Sequence, residues 1–287
     1  MTADALIKIL VPFTLIEMMI AIGLGVSLAE LAAAARNWRL ATKAALANYL
    51  CVPAVTAGLL LLLHPADATV AAGFLVLAVC PGAPFGPGCT GLAKGNVAAA
   101  VGLMVLLAGS SAIVAPLLLH VLLPLMSGSE SLQVDAGQIV VTLLATQLAP
   151  LCLGLGVRRG LPGLANRLQR PANVLSAILN LTTLGIVLAA YFHLLAEIRL
   201  RGYMGMLALL VASWAAGWLL GGPGSDNRRA MALTTSLRNV GVGLVIATSN
   251  FGGTAAVTAV LAYGIFEIVG SLLLALAWGR VRLAPEA

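Results

Sequence analysis

Long apolar runs separated by short polar segments are the dominant pattern of this sequence. Nine runs contain the roughly 20 apolar residues that an α-helix needs to cross a lipid bilayer. They cover residues 6–30, 40–63, 68–93, 96–125, 136–157, 172–195, 203–221, 228–250 and 254–279. The pattern predicts an all-α, polytopic integral membrane protein, with residues 1–287 forming a single transmembrane unit.

The composition agrees with a chain that has the lipid bilayer as its partner. Hydrophobic residues make up 61% of the chain and charged residues 9%, with a mean hydropathy of +1.04. A water-soluble core of this length could not hide so much apolar surface. The net charge of +6 comes from short basic clusters between apolar runs, so no nucleic-acid partner is expected.

The four cysteines give no sign of a metal site, because their spacing does not match that of metal ligands and no histidine lies close by in sequence. We expect them to be small buried residues without a disulfide. They are Cys51, Cys80, Cys89 and Cys152. No motif for an enzyme or a bound cofactor is present either, so the sequence predicts neither a catalytic residue nor a resident metal.

Lysine and arginine are distributed unevenly between alternate loops, as the positive-inside rule requires. With the N-terminus outside and the C-terminus in the cytoplasm, 12 of the 16 basic residues lie inside. These are Arg36, Arg39, Lys43, Lys94, Arg158, Arg159, Arg167, Arg170, Arg228, Arg229, Arg280 and Arg282. The outside has Lys8, Arg199 and Arg201, and the loops around Pro65, Ser127 and Gly253 have no basic residue. We therefore expect a multi-pass protein of the plasma membrane, or of the inner membrane in a cell that has two.

Two of the nine runs are not ordinary helices. The third contains CPGAPFGPGC, and its prolines predict a break near Pro81 to Pro87. The eighth contains TTSLRNVGVG, which places Arg238 inside the membrane. Freed backbone groups at that depth are tolerated only against protein or a water-filled cavity. The two broken runs are five spans apart, an odd offset, so they point in opposite directions through the membrane, as in transporters built from inverted repeats. Kinked packing helices of a channel or scaffold are the alternative.

Three stretches resemble the bile acid/sodium symporter family. They are IGLGVSLAEL, residues 22–31; CPGAPFGPGCTGLAKGN, residues 80–96; and DNRRAMALTTSLRNVGVGLVIA, residues 226–247. The resemblance covers nearly the whole chain. It implies two crossed discontinuous helices in a core domain that moves against a panel domain, in a variant lacking the first of the family's ten helices. The panel would be helices 6–30, 136–157 and 172–195, and the core would be helices 40–125 and 203–279.

The chain departs from the family at the positions that coordinate sodium. Sodium-coupled members have an acidic residue where this chain has Thr234, and a glutamine where it has Arg238. Family members have a serine-asparagine pair in the break of the third span. The corresponding residues here are Gly86 and Pro87, which offer no side-chain oxygen. Asn48, Thr90, Thr234 and Thr235 remain as possible ion ligands. Hard cations prefer oxygen cages with negative charge, so the usual two-sodium site is expected to be absent.

Arg238 has three possible roles. Its guanidinium stays charged, so it could supply the positive charge that sodium supplies in relatives. That charge would offset the partial negative charge of the helix ends that meet at the crossing. It could hold a substrate carboxylate, with Asn239, Glu267 and Thr90 as further substrate-binding residues. It could also pair with Glu267 purely as structure. A protonatable Glu267 would allow proton coupling, and Glu17 is a second intramembrane acid.

The sequence therefore predicts a secondary transporter that moves a small organic anion by alternating access with weak or no sodium coupling. The substrate could be bile-acid-like, a keto acid or another carboxylate. A sodium symporter with a non-standard site, and a channel-like or non-transporting protein on the same scaffold, remain the alternatives. Nothing in the sequence indicates an oligomeric state.

Overall fold

The computed structural model describes residues 3–65, 67–126 and 134–280, and within these ranges the chain is helical. The loop around Ser127 and Arg282 lie outside the described residues. The helices are α1 (Ala3–Gly25), α2 (Leu28–Arg36), α3 (Trp38–Leu46), α4 (Val52–Leu63), α5 (Ala68–Ala78), α6 (Phe85–Leu92), α7 (Val97–Met126), α8 (Ala136–Leu143), α9 (Ala149–Gly160), α10 (Pro162–Ala196), α11 (Leu200–Leu220), α12 (Ser225–Ser236), α13 (Val240–Asn250) and α14 (Ala255–Arg280). Two π-helical segments, Ala47–Cys51 and Leu144–Leu148, join α3 to α4 and α8 to α9.

The polytopic α-helical architecture predicted from the sequence is confirmed. In the described part of the chain, eight helical stretches are long and apolar enough to cross a membrane. The third predicted run does not appear among them because it is divided into the apolar α5 and the short α6. The eight stretches and this divided run correspond to the nine predicted spans.

The first span is shorter than predicted. Helix α1 ends at Gly25, and Ser27 begins the separate, exposed helix α2. Ser27 and Glu30 form a capping box: the Ser27 hydroxyl accepts from the Glu30 amide at 3.2 Å, and Glu30 Oε2 accepts from the Ser27 amide at 2.7 Å. These bonds hold the pKa of Glu30 below its ordinary value. This N-cap begins a new helix, because it satisfies the first amides of α2, and the span therefore ends before it.

The sixth span is longer than predicted. Helix α10 begins at Pro162 and has 35 residues, so Arg167 and Arg170 lie on a helix and not in a loop. At 1.5 Å per residue it is roughly 52 Å long, which exceeds the thickness of the hydrocarbon core. Proline at the first helical position explains the early start, because that residue needs no partner for an N–H group.

Both predicted interruptions are present. Residues 79–84 separate α5 from α6, and residues 237–239 separate α12 from α13. The first break lies slightly before the predicted one, since Pro87 falls in the first turn of α6, where a missing N–H costs nothing. Gly82 has a φ of 86° within this break, a conformation that favours glycine.

Packing divides the helices into two groups. Helix α1 packs mainly against α9 and α10, whereas α5 packs against α14 and α11 against α12. Contacts of α1 with α13 and of α10 with α14 join the groups. The division into panel and core helices follows the same grouping but stays a prediction, because no relative motion has been observed.

The cysteines are only partly as predicted. Cys80 and Cys89 are buried, whereas Cys51 is half-buried and Cys152 is exposed. The prediction of a buried residue is wrong for Cys152, because apolar runs in a membrane protein present residues to lipid as well as to the core. All four are free thiols in this structure.

Candidate functional site

The two interrupted spans meet at Asn239. Its backbone amide donates to the Cys80 carbonyl at 2.7 Å, and its side-chain Nδ2 lies 3.5 Å from the Gly82 carbonyl. Its Oδ1 accepts from the Val242 amide at 3.2 Å, which caps the N-terminus of α13. One asparagine thus starts α13 and joins it to the break in the third span.

Arg238 lies beside Asn239 with only 2% of its surface exposed. One terminal guanidinium nitrogen donates to the Ala78 carbonyl at 3.2 Å, and the other donates to the Thr235 carbonyl at 2.7 Å. Ala78 is the last residue of α5, and Thr235 lies in the last turn of α12. The last carbonyls of a helix lack partners and have partial negative charge. The guanidinium therefore bridges the negative ends of both interrupted helices.

Glu267 is fully buried and contacts Arg238 through the main chain. Its Oε1 accepts from the Arg238 backbone amide at 2.6 Å. Its Oε2 has no hydrogen-bond partner among the described residues, and neither does Arg238 Nε. The hydrogen bonds of the guanidinium itself go to carbonyl groups, so the simple side-chain pair that the sequence offered as one alternative is not the arrangement found.

Asn48 and Thr235 extend this cluster. Asn48 Nδ2 donates to the Ala44 carbonyl at 2.8 Å and lies 3.4 Å from the Thr235 hydroxyl. Asn48 Oδ1 is buried and has no partner in the described part of the protein. Both residues are fully buried, and they connect the second predicted span to the crossing.

The family resemblance predicts an acidic residue at the position of Thr234, whose hydroxyl bonds within its own helix. It donates to the Ala230 carbonyl of its own helix at 2.6 Å. A Cβ built on Gly86 would lie 3.3 Å from the Thr234 methyl carbon. The space beside Gly86 is therefore limited by the apolar methyl group of Thr234.

Thr90 is not joined to Arg238 by a hydrogen bond. Its hydroxyl donates to the Gly86 carbonyl within α6 at 2.8 Å. Its methyl group faces Gly95, where an added Cβ would come within 2.9 Å. The structure therefore brings together Arg238, Asn239 and Glu267 but leaves Thr90 with local contacts.

Sequence reasoning identified Glu267 but missed the two polar residues that share its face of α14. Tyr263, Glu267 and Ser271 are four residues apart and share one helix face. Ser271 contacts the Ser236 hydroxyl at 3.0 Å and accepts from Trp214 Nε1 at 3.3 Å. The spacing itself was the signal that could have found these residues.

Arg229 is a second buried arginine, although the sequence placed it in an inner loop. It is 4% exposed, and its guanidinium donates to the Ala93 carbonyl at 2.7 Å. Ala93 is the C-cap of α6. Burial is possible because the guanidinium satisfies carbonyls at that helix end, as Arg238 does for α5 and α12.

Glu17, the other intramembrane acid, lies between α1 and α10. Its Oε2 accepts from the Ser176 hydroxyl at 2.5 Å. One turn away, the hydroxyls of Thr14 and Thr183 are 2.7 Å apart. These contacts join two panel helices and do not reach the crossing.

At the crossing, one positively charged side chain lies against the negative ends of two helices. Two carbonyl oxygens at the helix ends accept hydrogen bonds from the guanidinium. In the described residues no group of three or more histidine, cysteine, aspartate or glutamate side chains could hold a metal ion. In the described part of the chain, the buried polar atoms without a partner at the crossing include Asn48 Oδ1, Glu267 Oε2 and Arg238 Nε.

Comparison with known proteins agrees with this architecture. The profile of the Sodium Bile acid symporter family matches residues 12–198, more than half of the 287 residues. An uncharacterized sodium-dependent transporter, YocS, from Bacillus subtilis strain 168 is 25% identical over 245 residues, covering 82% of this chain and 72% of the relative. The profile match includes the interrupted third span and ends before Arg238. With its interrupted spans and its extended match, the chain belongs to the sodium bile acid symporter family of membrane transporters.

Proposed function

We propose that this protein is a secondary transporter of a small organic anion, in which Arg238 takes the place of a bound sodium ion. The observation that supports this proposal most directly is the position of the guanidinium on the C-terminal carbonyls of α5 and α12. A cation at that point offsets two negative helix ends. In a sodium-coupled transporter the ion arrives and leaves, whereas this charge is permanent.

The residue chemistry supports the same conclusion. Thr234 replaces an acidic ligand and directs its hydroxyl to its own helix, so the negative charge that helps a site hold sodium is missing there. A sodium ion would also be repelled by the buried guanidinium in surroundings of low dielectric constant. We therefore infer that transport by this chain does not require sodium, although its Bacillus relative is called sodium-dependent.

The surface of α10 offers both polar and apolar contacts to an organic anion. The residues that offer them line an open depression and all belong to this one helix. Asn166, Gln169, Arg170 and Asn173 line one end, and Ala177 and Leu181 lie further along the helix. A guanidinium and amides at one end with aliphatic residues at the other suit a carboxylate attached to an apolar body.

A second candidate function is a sodium or proton symporter with a non-standard site. Two buried oxygens without partners favour it, namely Asn48 Oδ1 and Glu267 Oε2. Such orphaned atoms mark places where water or an ion can bind. Glu267 could instead bind a proton on Oε2, and this would couple the anion to a pH gradient.

The test uses purified protein in proteoliposomes. A thermal-shift screen of bile acids, keto acids and other carboxylates first identifies a ligand, since a ligand at 100 times its Kd adds about 2.7 kcal/mol of stability. Counterflow of the labelled ligand is then measured with sodium or with choline at a fixed membrane potential. Equal counterflow in both salts supports the proposal. Uptake that requires sodium would favour the second candidate, and a conductance without saturation would favour a channel.

A further inference from the structure

A second pocket lies between α4, α5 and α11. Its volume is about 430 Å³. The inner wall is apolar and includes Leu59, Leu63, Val70, Phe74, Met206 and Leu209. None of the residues that surround Arg238 lines it, so this pocket is separate from the crossing of the interrupted spans.

The rim of this pocket is cationic. The positive charge comes from Arg199 and Arg201; His64 also lines the pocket, and no aspartate or glutamate is among the lining residues. Asp67 and Glu197 are close in sequence but do not line the pocket, and Asp67 caps α5 by accepting from the Thr69 amide at 2.8 Å. The pocket thus combines an apolar interior with an opening of positive charge.

The two arginines keep most of their donors free for a ligand. Both are exposed. Arg201 lies 3.5 Å from the Leu62 carbonyl through one terminal nitrogen, which is a long hydrogen bond. Each guanidinium has five N–H donors in a fork that matches phosphate oxygens, so a bidentate contact with a phosphate is available to each.

Arg199 and Arg201 are assigned to the side of the membrane on which basic residues are rare. They are two of the three basic residues that the loop pattern assigns to the outer side, where lysine and arginine are normally sparse. They also lie at the start of α11, the level at which lipid headgroups meet the helix ends. A ligand supplied by the membrane itself would meet them there.

We propose that this pocket binds an anionic phospholipid, with its phosphate at Arg199 and Arg201 and one acyl chain against the apolar wall. Arginine guanidinium groups bind the phosphate of a lipid headgroup through charge-assisted, bidentate hydrogen bonds. The acyl chain explains the apolar interior, which a free phosphate ion would leave unused. The site does not depend on the transport proposal.

Native mass spectrometry tests the site with the full chain in detergent. Dioleoyl phosphatidylglycerol is expected to remain bound, whereas dioleoyl phosphatidylcholine is lost at the same collision energy. In Arg199→Gln/Arg201→Gln the apparent Kd for phosphatidylglycerol should rise at least about tenfold, because hydrogen bonds to a charged group are lost. Arg36→Gln/Arg39→Gln, with two exposed arginines on α2 and α3, removes the same charge elsewhere and should leave the affinity unchanged.

Other ligands and variants keep the proposal falsifiable. Inorganic phosphate should not stabilise the protein, and oleate should bind more weakly than phosphatidylglycerol. Val70→Trp narrows the apolar wall without changing a charge and should also weaken phosphatidylglycerol binding. Equal binding of the two phospholipids, undiminished binding to the Arg199→Gln/Arg201→Gln variant, or preferential binding of oleate would each overturn the assignment to a phospholipid.

Discussion

A buried arginine has five N–H donors that need partners, and Arg238 meets part of this need with carbonyls at two helix ends. The sequence was sufficient to place this residue at a helix interruption, because TTSLRNVGVG combines polar residues with glycines inside an apolar run, and the family resemblance implied that two such interruptions cross. It could not identify the accepting atoms, since these depend on where α5 ends. A helix end three or four residues later would have left the guanidinium without the Ala78 carbonyl.

The interaction free energy between the charges of Arg238 and Glu267 can be measured by a double-mutant cycle. Arg238→Gln and Glu267→Gln should each lower the free energy of unfolding by roughly 3 to 5 kcal/mol, because each leaves an uncompensated buried charge. The double variant should lose clearly less than the sum, because both charges are then absent. The measurement is thermal unfolding in detergent. Additive losses would show that the two charges do not interact.

Asn239 gives a second prediction at this scale. Asn239→Ala removes the cap of α13 and the contact with the Gly82 carbonyl, and should destabilise the protein by about 1 kcal/mol or more while reducing transport. Asn37→Ala is the matched control, because Asn37 also caps a helix but lies on the exposed start of α3. Thermal unfolding and counterflow are measured for both variants. Equal loss of transport in the two would contradict a special role for Asn239.

At the scale of helices, the strength of the sequence signal decided which features could be predicted. Proline and glycine mark breaks directly, so both interruptions were predicted. The ends of α1 and α10 were misplaced because apolar content does not distinguish a helix that leaves the membrane from one that ends there. The hydrogen bond of Arg229 to the Ala93 carbonyl could not be predicted from local sequence, because the two residues are 136 positions apart in the chain.

Glycine residues allow α1 and α9 to pack in close contact. A Cβ on Gly154 would lie 2.4 Å from the Ile20 carbonyl oxygen, whereas one on Gly156 would meet nothing within 4 Å. Gly154→Ala should therefore lower the melting temperature. Gly156→Ala, on the same helix, should raise it slightly, since alanine favours a helix over glycine by about 1 kcal/mol. An unchanged melting temperature for Gly154→Ala would contradict the observed packing.

At the scale of the whole molecule, the sequence predicted the number of spans well, and its assignment of the basic loops to one side of the membrane stays a prediction. Apolar content and the positive-inside rule each act over many residues, so single errors cancel. The grouping of α1 with α9 and α10 could be predicted only from the family resemblance. Helices in a bilayer associate through small residues and polar contacts, and these do not form a pattern that identifies the partner helix from sequence.

The orientation of the chain stays a prediction with a direct test. In a variant without native cysteines, Asp67→Cys should react with an impermeant maleimide added outside cells, and Arg36→Cys should react only after the membrane is opened. Both native side chains are exposed, so access to the reagent depends on the side of the membrane alone. The opposite labelling pattern would place the N-terminus inside.

The sodium dependence of transport tests most directly whether Arg238 replaces a bound ion. Counterflow of an identified organic anion is measured in proteoliposomes while the sodium concentration is raised from zero to about 100 millimolar. Choline replaces sodium, and the membrane potential is held constant. The wild-type rate should not change with sodium, because the charge at the ends of α5 and α12 is already present. A steep and saturable rise with sodium in the wild type would contradict the account.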